Sequence, residues 1–394
     1  MKYVLLVPST YAIGGWLFSI ALVLISPIPL DTINLLTITV IAYTAIVFFI
    51  SISINLPFAK RCTVEGQIYF RKADYTLTFA TTVLGVLGLG LFATEISSLL
   101  GGFGALRGVF SSGDFLSIRA ISNNAETFGF QLSYFSWLSI FAFAIMLKNR
   151  LISPKYYIPI IFLLLLQFSL NLLFIDRTRP IWIVLVVMLG LIFDRNVKRL
   201  NIAKTLLPLA LAPISIFFGF LLITGKYDVR YGFLEPVFIY VTSGIGYLNR
   251  LIESNIPFEY EPVRTFYWLS KVFEMVGIVK NVPNQILDFL YVPFPTNVGT
   301  FLEPFYSDGG LLYVIFLMPI FVIGFDRLAI WAYRSKTLTG MFFWANVVFS
   351  GLMSFFVPKL NSLPIWLFLF LHLGYLLASN NQNGPIKKQV VNGK

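Results

Sequence analysis

Long apolar runs separated by short basic clusters dominate the chain. A bilayer core about 30 Å thick is crossed by roughly 20 apolar residues in helical form. Runs near that length fall at 3 to 25, 33 to 55, 75 to 98, 129 to 147, 157 to 175, 180 to 193, 205 to 224, 309 to 325, 340 to 357 and 363 to 379. The pattern predicts an all-α polytopic membrane protein with about ten transmembrane helices, a single integral membrane domain over 1–394. The first run is too long for the apolar stretch of a secretory leader, and no small-residue cleavage pattern follows it, so it is expected to remain as the first span. The end, 380–394, is polar and reads as a tail.

Two stretches between runs are long, 99 to 128 and 225–308. Within the second, EPVFIYVTSGIGYLNRLIE and RTFYWLSKVFEMVGI place aromatic and aliphatic residues at helical spacing. That spacing suits interfacial helices lying on a membrane surface, and equally helices packed on the bundle.

Charge sets an orientation. Lys60, Arg61, Arg71 and Lys72, then Lys148, Arg150 and Lys155, then Arg195, Lys198, Arg199 and Lys204, then Arg327, Arg334 and Lys336 fall in alternate loops. Basic residues mark cytoplasmic loops, so both termini and the 380–394 tail are expected inside, with 225–308 as the long outer loop. The formal net charge of +11 would suggest nucleic acid in a soluble protein; confined to short loops it sets topology instead, and no nucleic-acid partner is expected. With 57% hydrophobic and 12% charged residues and a mean hydropathy of +0.81, an ordinary soluble domain is excluded. A single cysteine, Cys62, and a single histidine, His372, rule out a disulfide framework and leave no ligand set for a metal. No P-loop, GxGxxG after a strand, HExxH, DxD or GxSxG is present, so neither cofactor nor metal is expected, and a substrate carrying its own leaving group fits better.

The polar residues cluster in two places. In FIDRTRP, the apolar run that follows is too short to cross the core unless its helix begins near Arg177 or Arg179. That places guanidinium groups near headgroup depth, where they need a polar cavity or an anion. One outcome is that Arg177 pairs with Asp176 or reaches lipid phosphate; the other is a phosphate or diphosphate clamp, with Pro180 opening a helix whose positive end adds to it. The second cluster is PTNVGTFLEPFYSDGG, from 295 to 310. On a helix, Thr296, Thr300, Glu303 and Tyr306 would share one face. Glu303 and Asp308 are the candidates for a general base, since apolar surroundings raise a carboxylate towards neutrality; alternatively, Asp308 caps the following helix and Glu303 pairs with a loop arginine. Arg230, Arg250 and Arg264 are further candidate contacts to an anionic lipid or sugar. His372 lies inside the last run and reads as a packed bundle histidine.

The layout, RTRP opening a short span, YVTSGIGYLNR in the long loop and NVGTFLEPFYSDGG at its end resemble the bacterial oligosaccharide repeat-unit (O-antigen) polymerases of the Wzy type. The resemblance covers the layout and the segments 176 to 192 and 234 to 312. It implies a GT-C-like membrane glycosyltransferase of the bacterial inner membrane. Such an enzyme polymerises undecaprenyl-diphosphate-linked oligosaccharide at the periplasmic face, with membrane lipids around it and room for a polysaccharide chain-length regulator. Arg177 and Arg179 match the family's arginine-bearing entry to a span. Asn297, Thr300, Tyr306, Asp308 and Gly309 match its late-loop motif, and Glu303 is added from the helical stripe. The chemistry expected is arginine stabilisation of the diphosphate leaving group and proton removal from a sugar hydroxyl. The alternatives are an O-antigen ligase, disfavoured by the absence of a loop histidine, a lipid-linked oligosaccharide flippase or transporter, and a membrane acyltransferase.

Overall fold

In the computed structural model the apolar runs are helices. The structure describes residues 2–26, 32–61, 70–112, 128–172, 178–194, 207–209, 211, 215–216, 219, 235–254, 258, 260–283, 287, 290–292 and 295–379. The helices are α1 (Pro8–Ile25), α2 (Leu35–Lys60), α3 (Lys72–Leu100), α4 (Phe103–Ser112), α5 (Phe128–Leu132), α6 (Phe135–Lys148), α7 (Tyr157–Leu172), α8 (Thr178–Phe193), α9 (Glu235–Glu253), α10 (Tyr267–Met275), α11 (Glu303–Leu312), α12 (Met318–Arg334), α13 (Leu338–Leu352) and α14 (Leu363–Ser379). One two-stranded antiparallel pair, β1 (Leu290–Tyr291) and β2 (Pro295–Thr296), aligns Leu290 with Thr296. Every expected span except 205 to 224 falls on one of these helices; that one lies mostly outside the described residues.

Among the described residues six helical segments are long and apolar enough to cross a membrane: Pro8–Ile25, Leu35–Lys60, Lys72–Leu100, Phe128–Lys148, Pro154–Leu172 and Glu303–Arg334. Thr178–Phe193, Leu338–Leu352 and Leu363–Ser379 are apolar but shorter. This is a helical protein of membrane-spanning type.

The chain divides into two compact units. One is built from Met1–Thr63, Tyr227–Ser335 and Asn346–Leu373. In it α1 packs on α2, and α2 on α12. A buried carboxylate joins all three. Asp326 of α12 accepts the backbone N–H of Ser9 at 3.2 Å, the Ser9 hydroxyl at 2.5 Å and the Ser51 hydroxyl at 2.6 Å. Its negative charge therefore sits at the positive end of α1, whose first residue is a proline with no amide hydrogen to satisfy. Asn55 extends the group, donating to Ser51 Oγ at 3.2 Å.

Helix α9 packs against α1, α2 and α11, with 242–249 buried throughout. Asn249 ties it to the start of α2: its Oδ1 accepts from Asn34 N (2.8 Å) and Thr37 Oγ1 (2.9 Å), and its Nδ2 donates to Thr32 O (3.3 Å) and Glu253 Oε1 (3.0 Å). Of the two expected readings for this helix, packing on the bundle is the one observed. Helix α10 differs. Val272, Phe273, Met275, Val276 and Ile278 are all exposed along it and its exit turn, while Trp268 stacks on Trp366 and meets Phe370 of α14.

The other unit comprises Val64–Lys226, Lys336–Ala345 and Gly374–Lys394. Here α3 lies against α5 and α6 at close range, because Gly85 and Gly88 leave room for backbone: a β-carbon at Gly85 would stand 2.6 Å from Ser136 N. Polar side chains of α3, α6 and α7 are joined by hydrogen bonds. Asn171 accepts from Trp137 Nε1 (3.2 Å) and donates to Ser136 (3.0 Å), Gln167 donates to Ser139 (3.3 Å), and Ser139 meets Thr82 at 2.7 Å. At the end of α8, Asp194 is held by Lys148 (3.1 Å) and Asn149 (2.7 Å).

Candidate functional site

The polar stretch from 295 to 310 does not form one helix. Thr296 belongs to β2, and α11 begins only at Glu303. The threonines explain the late start, since each turns its hydroxyl to the main chain: Thr296 Oγ1 accepts Val298 N at 3.2 Å, and Thr300 Oγ1 accepts Leu302 N at 3.2 Å. Such local bonds favour turns over continued helix. The expected stripe of Thr296, Thr300, Glu303 and Tyr306 is thus corrected to Glu303 and Tyr306, with Ser307 one turn beyond Glu303. Thr300 is buried, and Asn297 is half-buried.

The SDGG sequence then fastens a loop. Both carboxylate oxygens of Asp308 accept backbone amides of the segment before α10, Oδ1 from Arg264 N at 3.1 Å and Oδ2 from Thr265 N at 2.7 Å. Gly309 and Gly310 break the helix; Gly310 has a φ of +57° and lies under the Phe258 ring, and Gly309 lies under Tyr313. The Tyr313 hydroxyl donates to the carbonyl of Tyr260, and Tyr306 meets Phe258 edge-on at 5.5 Å. Asp308 is therefore not a cap of the helix that follows. It anchors the segment from Phe258 to Thr265 onto α11.

That anchor brings Arg264 to Glu303. The guanidinium NH1 lies 3.5 Å from Glu303 Oε1, which also accepts the Ser307 hydroxyl at 2.9 Å. Glu303 is 3% exposed, whereas the Arg264 side chain is 27% exposed. As the first residue of α11, followed by Pro304, Glu303 also sits at the favourable end of the helix dipole. The arrangement offers a buried proton acceptor beside a solvent-reachable cation, on one side of which a hydroxyl-bearing, anionic substrate would find both partners it needs.

Asn361 completes the group, donating from Nδ2 to the Arg264 carbonyl at 2.9 Å. The sequence reading missed it. The available signal was its place in 358 to 362, a short polar segment expected on the same side as 225–308.

The remaining sequence candidates are placed elsewhere or not described. Arg177 and Arg230 lie outside the described residues. Arg250 is exposed on α9 and pairs with Glu253 at 3.3 Å. Arg179 belongs to the second unit, 4% exposed at the start of α8, where it donates to Ser133 Oγ at 3.1 Å. Its guanidinium lies 4.1 Å from the Phe130 ring centroid, 4.7 Å from Tyr134 and 5.8 Å from Trp137, a set of cation–π contacts that suits a buried arginine. His372 is buried on α14 with its ring against Trp331. Among the described residues no group of three or more His, Cys, Asp or Glu side chains could hold a metal. Comparison of the chain with protein-family models, with curated proteins and with solved structures gave no match.

Proposed function

We propose that the chain is a membrane glycosyltransferase that joins undecaprenyl-diphosphate-linked oligosaccharide repeat units into O-antigen or a related surface polysaccharide at the periplasmic face of the bacterial inner membrane. In this reading the ten spans place both termini in the cytoplasm and 225–308 outside, with the apolar face of α10 resting in the membrane interface. The observation that carries the proposal is the Glu303–Arg264 pair: a buried carboxylate 3.5 Å from a partly exposed guanidinium, at the start of the long apolar segment Glu303–Arg334. The sequence resemblance named above supplies the substrate class.

The chemistry uses residues of one unit. The acceptor sugar hydroxyl gives its proton to Glu303 as its oxygen attacks the anomeric carbon of the donor. The bond from that carbon to the diphosphate oxygen breaks, and the leaving diphosphate gathers negative charge, which Arg264 offsets. Asp308 takes no proton in this scheme, because both its oxygens are occupied by main-chain amides.

Deleting the gene and resolving the surface glycans on gels tests the proposal. A polymerase predicts lipid A core bearing a single repeat unit. A ladder of longer chains surviving in the deletion strain would contradict it, and complete absence of repeat units would point to a ligase or flippase.

A further inference from the structure

Arg264 is held in an uneven way. Three hydrogen bonds fix its main chain: its own N–H and that of Thr265 donate to Asp308, and its carbonyl accepts from Asn361. The guanidinium, in contrast, meets Glu303 only at 3.5 Å, the outer limit of a hydrogen bond, and the Arg264 side chain is 27% exposed. A rigid stem under a loosely held head suits a receptor, since the ordering cost is met before the ligand arrives.

Asn361 itself has the marks of a residue kept for its N–H. It is 7% exposed, and its Oδ1 is buried with no hydrogen-bond partner among the described residues. A buried acceptor without a partner is costly, and an apolar side chain of the same size would avoid that cost. It shares with Thr265 a cavity of about 10 Å³ walled by Phe301, Pro304, Phe305, Phe321 and Pro358. The walls are apolar apart from Thr265 and Asn361 themselves.

We propose that Asn361 is a positioning residue which, with Asp308, fixes the Arg264 main chain so that the guanidinium receives the anionic oxygens of a phosphate or diphosphate group. The inference rests on the reading of Arg264 as the anion-binding residue. Asn361 touches no ligand and acts only through Arg264.

Binding of inorganic pyrophosphate, with inorganic phosphate alongside, to the purified full chain in lipid nanodiscs tests this by calorimetry. Arg264→Ala is expected to weaken binding by about tenfold or more, the scale of one lost charge-assisted hydrogen bond. Asn361→Ala is expected to weaken it by about fivefold with the thermal transition retained. In a chain already carrying Arg264→Ala, adding Asn361→Ala should change nothing, because the two act as one unit. If Asn361→Ala does not fold, Asn361→Asp, of nearly the same shape but without the N–H donor, takes its place with the same expectations. Wild-type affinity in the Asn361 variant, an equal loss on the Arg264→Ala background, or no measurable pyrophosphate binding by the wild type each overturns the proposal. The assay needs no sugar and no polymer. A normal glycan ladder in the deletion strain would therefore remove the polymerase reading and leave this inference standing, while uncoupled binding would do the reverse.

Discussion

Gly310 shows how a single position controls the site. A φ of +57° strains any residue with a β-carbon, and a β-carbon here would also stand 2.6 Å from the Phe258 ring. With ψ at −144° the backbone lies in a region essentially restricted to glycine, which costs an L-residue on the order of 1–3 kcal/mol. Gly310→Ala is therefore expected to lower stability by at least about 1 kcal/mol and to release the segment that carries Arg264, seen as a lower thermal midpoint together with weaker pyrophosphate binding. Glu274 gives a prediction of a different sort. Hydrogen bonds from Lys271 Nζ and the Val282 amide, both at 3.0 Å, hold its carboxyl below the usual 4.5. A lowered value means that the tie between α10 and Val282 is complete at neutral pH and fades as pH falls below the ordinary carboxylate range. Protection of the Val282 amide against hydrogen exchange, corrected for intrinsic rate, should decline under acid in the wild type; in Glu274→Gln it should not vary with pH.

Among elements, the carboxylate of Asp326 joins α1, α2 and α12. Asp326→Ala leaves the Ser9 amide and two hydroxyls without their acceptor in a buried place, with an expected cost of about 2–4 kcal/mol. Asp326→Asn, which keeps one acceptor oxygen, should recover part of the loss in thermal unfolding of the purified protein. Helix positions were legible in the sequence because run length and periodicity are local properties, and α3, α6, α7 and α14 fall where the apolar runs are. The start of α11 was not legible, because it depends on which way Thr296 and Thr300 turn their hydroxyls. The packing of α9 was left open by its amphipathic pattern, and three hydrogen bonds of Asn249, to Thr32, Asn34 and Thr37, hold it against the start of α2. At the site, Glu303 and Arg264 were each visible as polar residues of the long 225–308 stretch. Their meeting was not, since it depends on Asp308 binding amides 43 and 44 residues away. The pairing of Asn361 with Arg264 was illegible for the same reason: the two are 97 residues apart.

For the whole molecule, the composition and the six long apolar helices among the described residues mark a protein of membrane-spanning type. The proposed activity needs only one of its two units for the chemistry, and it assigns distinct work to the two acidic residues that sequence alone treated alike. In that proposal Glu303 takes the proton, while Asp308 holds the loop. The most direct test is complementation of the deletion strain with wild type and with Glu303→Gln at equal membrane abundance, read as the glycan ladder. The account predicts a full ladder with wild type and only a single repeat unit on lipid A core with Glu303→Gln. A ladder of normal length from Glu303→Gln would contradict it.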